Sequence, residues 1–223
     1  MIHPEQTADG SYTLFVPEMD EHYHSVKGAR TESEHIFIRM GLQHSSSPSP
    51  RVLEIGFGTG LNAFLTLLDS EQTQRPVSFT TIELHPVPEE TLHLLRYPEQ
   101  IAPTRASDYE ALHRAEWNKP VPITPWFTLH KIQGDFTLFP FTGEYDVIYF
   151  DAFAPDKQPE MWHPSLFENL YRITAPGGIL TTYCAKGAVR RMLQSAGYTV
   201  ERLPGPPGGK REILRATKPE VCK

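Results

Sequence analysis

The chain has 223 residues, of which 39% are hydrophobic and 22% charged, and its formal net charge is −6. This size and composition predict a single domain with a large core, and the negative charge argues against a non-specific nucleic-acid binder. No apolar run approaches the ~20 residues of a membrane span and no signal peptide is recognisable, so we expect a cytoplasmic protein. Cys184 and Cys222 make no disulfide framework, and the ten histidines form no recognisable ligand cluster, so we expect no metal.

We divide the chain into an N-terminal extension, residues 1–50, and a larger domain, residues 51–223. In the extension, residues 11–16 and those before them predict a hairpin, and residues 31–42 predict a helix. Thr31 followed by Glu34 has the pattern of a capping box, in which the two side chains satisfy backbone N–H groups at a helix start.

In the larger domain, strand patterns alternate with helix patterns. Strands are predicted at 51–55, 77–83, 126–132, 145–150 and 179–183, and helices at 61–69, 88–96, 159–173 and 187–196. The last two strands, 198–203 and 211–217, predict a hairpin, and the proline-rich residues 97–124 predict an insertion. Such alternation favours right-handed crossovers and a parallel sheet. We expect an α/β, Rossmann-like fold with a mostly parallel seven-stranded sheet and an antiparallel edge strand.

The first strand runs into a glycine-rich turn. Gly56, Gly58 and Gly60 alternate after the apolar strand, with Glu54 before them and Asn62 opening the next helix. Glycines let the backbone turn sharply and approach a ligand closely. We interpret this segment as a site for S-adenosylmethionine at the carboxyl end of the strand. A tight turn without any ligand is the alternative.

Two acidic residues end the next strands. Glu83 lies 23 positions after Gly60, close to the ~20-residue spacing at which a carboxylate binds ribose hydroxyls in such folds. Asp135 follows the third strand, where it could accept the exocyclic amine of adenine. The alternatives are an ordinary charge close to the next helix for Glu83 and a turn-forming Gly-Asp pair for Asp135.

Asp151 ends the fourth strand and faces the same crevice as the glycine turn. A carboxylate there could orient an amine and accept its proton, the chief requirement of methyl transfer to nitrogen. Phe153 would supply a flat wall, and Lys157 and Trp162 could line the substrate entry. The alternatives are that Asp151 caps the loop and that the two aromatic residues pack in the core.

Two further segments are candidates for substrate contact. Tyr23 belongs to a polar-aromatic cluster that is either a lid or a surface loop. A basic face is predicted from Lys186, Arg190, Arg191, Lys210 and Arg211. Such a face is compatible with a nucleic-acid substrate and equally with solvated surfaces.

Several of these motifs together resemble a known family. They are residues 54–62, the Asp-Ala-Phe-Ala-Pro-Asp-Lys-Gln-Pro-Glu-Met-Trp block at 151–162, residues 187–191 and 196–198, residues 209–212, and upstream Tyr23-His-Ser with Glu32 and Phe37. The chain resembles the class I S-adenosylmethionine-dependent methyltransferase part of MnmC-type tRNA wobble-uridine enzymes. Ala152 stands where the fused members often have glycine.

The resemblance implies methylation of 5-aminomethyl-2-thiouridine at the tRNA wobble position to the 5-methylaminomethyl form. It implies that Asp151 orients or deprotonates the amine and that the basic residues meet the anticodon stem-loop. Bifunctional members also carry a flavin-dependent oxidase domain, for which 223 residues leave no room. We therefore expect a stand-alone methyltransferase domain, with a separate enzyme supplying the aminomethyl precursor.

Two other functions remain open from the sequence. One is a methyltransferase acting on a small-molecule amine, which would turn over without RNA. The other is a non-catalytic module that binds adenosylmethionine and RNA, for which Asp151 would be dispensable.

Overall fold

A computed structural model describes residues 2–220 of the chain, so Cys222 lies outside the described residues. The strands are β1 (His3–Gln6), β2 (Tyr12–Val16), β3 (Glu21–His22), β4 (Arg51–Ile55), β5 (Val77–Glu83), β6 (Pro120–Thr124), β7 (Phe127–Gln133), β8 (Tyr145–Phe150), β9 (Thr174–Thr182), β10 (Thr199–Pro204) and β11 (Glu212–Thr217). The α-helices are α1 (Ala29–Ser33), α2 (Leu61–Thr73), α3 (Glu89–Leu92), α4 (Tyr97–Ile101), α5 (Ala106–Arg114), α6 (Pro164–Ile173) and α7 (Gly187–Ala196). Single helical turns of other types lie at Glu34–Arg39, Leu42–His44, His93–Leu95, Pro103–Arg105 and Pro159–Trp162.

The larger sheet confirms the predicted α/β class. Its order is β10-β11-β9-β8-β4-β5-β7-β6, and the five strands from β9 to β7 are parallel. The predicted hairpin of β10 and β11 is present. Strand β11 pairs antiparallel with β9, and β10, not β11, forms the edge of the sheet.

The sheet has eight strands, one more than the seven expected from the sequence. The additional strand, β6, comes from the predicted insertion and pairs antiparallel with β7. This strand was not predicted from the sequence because it contains two prolines, Pro120 and Pro122. Because proline cannot donate to a ladder, such residues are tolerated at a sheet edge, and β6 forms that edge.

The N-terminal residues form a second, three-stranded sheet, β1-β2-β3, followed by a helical segment. The predicted capping box is wrong. Helix α1 begins two residues before Thr31, after Gly28, which provides no side-chain cap. Thr31 instead donates its backbone N–H and its hydroxyl to Asp9 Oδ2, over 2.9 and 2.7 Å. A carboxylate distant in sequence therefore stabilises the helix start.

The core lies on both faces of the larger sheet. On one face, Phe64 of α2 and Tyr149 of β8 share a buried cluster with Leu14 and Phe37 from the N-terminal residues. On the other face, α6 and α7 pack through residues such as Phe167. The extension thus packs directly over the sheet, next to the carboxyl ends of the parallel strands. Within residues 2–220, no helix has the length and apolar composition to cross a membrane.

Candidate active site

A cavity of about 660 Å³ lies beyond the carboxyl ends of β4, β5, β7 and β8, with the N-terminal residues forming one wall. Its volume is within the range of small-molecule sites, and its position is the crevice where open α/β sheets bind ligands. Nine of the predicted site residues line it: Tyr23, Gly56, Gly58, Asn62, Glu83, Asp135, Asp151, Phe153 and Lys210.

The glycine turn forms the floor of the cavity beside β4. Gly56 and Gly58 have φ angles of +91° and +49°, a region that L side chains rarely adopt. A Cβ atom at Gly58 would lie 2.9 Å from the Tyr23 ring, so only glycine fits between the turn and this aromatic side chain. The Tyr23 ring therefore packs directly against the turn at Gly58.

Glu83, at the end of β5, is fixed to this turn. Its Oε2 accepts the backbone N–H of Gly58 over 3.1 Å, and its Oε1 accepts that of His85 over 2.9 Å. Burial raises the pKa of Glu83, while these two N–H groups oppose the shift. An oriented carboxylate at this strand end is suited to accept hydrogen bonds from vicinal hydroxyls.

Asp135 lines the cavity after β7 and also makes a local turn. Its Oδ1 accepts the backbone N–H of Thr137 over 2.8 Å and the Thr137 hydroxyl over 2.7 Å. The contacts that shape this turn therefore also orient the Asp135 carboxylate at the cavity wall.

Asp151 lies where β8 ends, and its Oδ2 accepts a hydrogen bond from Asn62 Nδ2 over 2.9 Å. Burial, and next the negative charge of Glu32, raise the pKa of Asp151 to about 8, although Asn62 and Lys210 oppose this shift. A carboxylate with such a pKa is a much stronger proton acceptor than an ordinary aspartate.

Aromatic side chains enclose the space around Asp151. Tyr23 packs edge-on against Phe153 with ring centroids 5.1 Å apart, and burial raises the pKa of Tyr23 to about 12. The Tyr183 hydroxyl donates to the Ala152 carbonyl over 2.9 Å. These rings restrict water and leave flat surfaces suited to a planar substrate group.

Eight predicted site residues do not line the cavity: five basic residues, described below, and Glu54, Gly60 and Trp162. Glu54 is fully buried beneath the turn, where burial raises its pKa well above the usual range. Gly60 has its φ angle at +72°, and a Cβ there would lie 2.8 Å from the His113 ring, so packing requires this glycine. Trp162 is buried and donates its indole N–H to the Phe153 carbonyl over 2.8 Å. It supports the Asp151 loop from behind, as the alternative interpretation held.

The basic residues divide into paired and unpaired side chains. Lys157 pairs with Asp20 over 3.3 Å, and Lys186 pairs with Asp156. Within residues 2–220, no salt bridge involves the remaining three arginines, Arg190, Arg191 and Arg211. Of the basic candidates only Lys210 lines the cavity. The described residues also hold no group of three or more His, Cys, Asp or Glu arranged for a metal ion.

The sequence analysis did not name His24, Glu32 or Tyr183 as site residues, although all three line the cavity. His24 and Glu32 belong to the N-terminal segments that carry the family resemblance, but only the packing of the extension brings their side chains to the cavity. Tyr183 follows β9, and its position at the carboxyl end of a parallel strand was the one available signal.

Comparison with known proteins agrees with this geometry. Residues 128–219 match the family described as S-adenosyl-L-methionine-dependent methyltransferase. The chain is 36% identical over 231 residues to the tRNA 5-methylaminomethyl-2-thiouridine biosynthesis bifunctional protein MnmC of Ralstonia nicotianae, covering 97% of this chain and 34% of that protein. It is 32% identical to the MnmC protein of Pseudomonas savastanoi pv. phaseolicola, covering 87% of this chain and 32% of that protein. The chain thus spans about a third of the length of these relatives.

The crystal structure of MNMC2 from Aquifex aeolicus superposes with a TM-score of 0.74 at 23% identity, covering all of this chain and 73% of that chain. At this identity the superposition shows the fold alone. The relatives confirm the resemblance to the methyltransferase part of MnmC-type proteins that the sequence motifs predicted. The chain therefore belongs to the S-adenosyl-L-methionine-dependent methyltransferase family.

Proposed function

We propose that the chain methylates the primary amine of 5-aminomethyl-2-thiouridine at the wobble position of tRNA, with S-adenosylmethionine as donor. The observation that carries this proposal is the Asp151–Asn62 pair, which lies in one cavity with the glycine turn and Glu83. The substrate assignment is supported by the relatives, which are named for the biosynthesis of 5-methylaminomethyl-2-thiouridine, the product of this reaction.

The cavity residues fit the proposed cofactor. Gly56 and Gly58 would present backbone atoms to the ligand, Glu83 would accept the ribose hydroxyls, and Asp135 would accept the adenine amine. When bound, S-adenosylmethionine supplies a methyl carbon activated by the adjacent sulfonium.

Asp151 would prepare the nucleophile. A primary alkylamine is protonated at neutral pH, so its nitrogen has no lone pair for attack until a proton leaves. Asp151, oriented by Asn62, would accept that proton, and its raised pKa brings it closer to the pKa of the amine than that of an ordinary aspartate. Tyr23, Phe153 and Tyr183 would restrict access of water and hold the wobble nucleobase.

Contact with the anticodon stem-loop would come from the basic residues near the last hairpin and α7. Arg190, Arg191 and Arg211 are the strongest candidates because no salt bridge within residues 2–220 occupies them. Lys186 and Lys210 would have to exchange a carboxylate partner for phosphate. A local basic face would let a chain of net charge −6 bind RNA.

The test is transfer of labelled methyl from adenosylmethionine to tRNA from a strain that lacks this gene, followed by separation of nucleosides by mass. Appearance of 5-methylaminomethyl-2-thiouridine is expected. Cofactor binding without transfer to tRNA would contradict the proposal, and turnover of free amines without RNA would point to a small-molecule substrate.

A further inference from the structure

Glu32 forms an ion pair with Lys210 at the wall of the cavity. Glu32 is only 6% exposed, and its Oε1 accepts a hydrogen bond from Lys210 Nζ over 2.8 Å. Its Oε2 accepts the backbone N–H of Ser25 over 2.8 Å. The N-terminal residues therefore hold this carboxylate in place whether or not Lys210 stays beside it.

The Lys210 ammonium also contacts an aromatic face. Its Nζ lies 4.1 Å from the centroid of the Tyr183 ring, and Tyr183 is anchored to the carbonyl of Ala152. Because Ala152 directly follows Asp151, this ammonium position adjoins the proposed base. The charges agree with this proximity, since Glu32 raises the pKa of Asp151 and Lys210 lowers it. A carboxylate combined with an aromatic face is a typical environment for an alkylammonium group.

Lys210 is the more exposed partner in this pair. Its side chain is 40% exposed and follows the Gly-Pro-Pro-Gly-Gly hairpin turn, whereas the Glu32 side chain is 8% exposed. RNA phosphates would offer this exposed lysine another anionic partner. Loss of Lys210 would leave a buried carboxylate without a cation, which is unfavourable unless another cation replaces it.

We propose that Glu32 and the Tyr183 ring form the subsite that binds the ammonium group of the substrate, and that Lys210 occupies this subsite until RNA binds. Glu32 holds the protonated amine beside Asp151. An N–H bond then breaks, the proton passes to the Asp151 carboxylate, and the electron pair stays on nitrogen. This inference rests on the function proposed above and adds the residues that select a cationic substrate.

The experiment compares two anticodon stem-loops that differ only in the wobble base, 5-aminomethyl-2-thiouridine or 2-thiouridine. Affinities are measured at neutral pH with S-adenosylhomocysteine present, so that no methyl transfer occurs. The wild-type chain is expected to bind the aminomethyl stem-loop about tenfold more tightly, equivalent to one charge-assisted contact. Glu32→Gln is expected to bring this ratio close to one without weakening binding of the 2-thiouridine stem-loop.

Two further variants sharpen the result. Lys210→Met is expected to weaken binding of both stem-loops, through loss of a phosphate contact, and to keep their ratio. Glu34→Gln is the matched control, because Glu34 lies on the same helical segment, pairs with Arg30 and does not line the cavity. It should leave both affinities unchanged.

Equal weakening of both stem-loops by Glu32→Gln would show a structural role for Glu32 and overturn the subsite. An unchanged ratio in this variant would do the same. Methyl transfer by the wild-type chain distinguishes this failure from a failure of the proposed function. If the wild-type chain methylates the aminomethyl stem-loop and Glu32→Gln leaves the affinity ratio unchanged, only the subsite is contradicted. Absence of transfer by the wild-type chain would contradict the proposed function itself.

Discussion

Asn62 Nδ2 donates a hydrogen bond to Asp151 Oδ2 over 2.9 Å, joining the first turn of α2 to the end of β8. The two residues are 89 positions apart in the chain, yet both line the same cavity. The contact ties the orientation of the proposed base to the helix that follows the glycine turn. The proposed base is thus linked directly to the helix that follows the proposed cofactor turn.

Replacing Asp151 by asparagine is expected to separate binding from chemistry. Asp151→Asn keeps the size and polarity of the side chain but cannot accept the proton of the amine. We expect adenosylmethionine affinity to stay unchanged and the single-turnover rate to fall by ~10²-fold or more, the scale of positioned general-base catalysis. The rate is measured with labelled cofactor and the affinity by calorimetry. A rate equal to that of the wild type would refute the role of Asp151.

The rate should also depend on pH through Asp151. Below its pKa of about 8 the carboxyl is protonated and cannot act as a base, so kcat/KM should rise with pH through that region. Asn62→Leu removes a hydrogen bond that favours the carboxylate form, so the rise should move to higher pH. The substrate amine titrates identically with both enzymes, so only the displacement reports on Asp151. Coincident profiles would show that another group controls the rate.

The sequence predicted those residues of the site that lie at the ends of consecutive strands. The glycine turn and Glu83 were predictable because parallel pairing of β4 with β5 brings successive strand ends to one edge. Glu32 and Lys210 were not predictable as a pair, since 178 positions separate them and only tertiary packing joins them.

Glu54 was misplaced for a different reason. Side chains alternate between the two faces of a strand, and β4 is buried on both faces, so its apolar pattern does not reveal which face a residue occupies. The structure buries Glu54 below the turn instead of exposing it to the cavity.

Glu83 is expected to control cofactor affinity. Glu83→Ala removes a carboxylate that would accept two hydroxyl groups, and hydrogen bonds to charged groups contribute about 1.5–3 kcal/mol each. We therefore expect adenosylmethionine to bind at least ~10-fold more weakly. Calorimetric titration measures this effect, and Glu90→Ala, at an exposed position outside the cavity, is the control. Equal affinity in Glu83→Ala and Glu90→Ala would mean that Glu83 does not contact the cofactor.

Glu54→Gln is expected to stabilise the protein increasingly as pH rises. Burial raises the folded-state pKa of Glu54 well above 4.5, so unfolding above pH 4.5 releases a proton and the free energy of unfolding falls with pH. The slope reaches about 1.4 kcal/mol per pH unit until the folded-state pKa is reached, and glutamine, which cannot ionise, removes it. Its amide can donate to Asn62 Oδ1 or Thr81 Oγ1, the side-chain oxygens of two neighbouring residues. Denaturant unfolding of both proteins across this pH range measures the difference, and a difference independent of pH would show that Glu54 is ionised in the folded state.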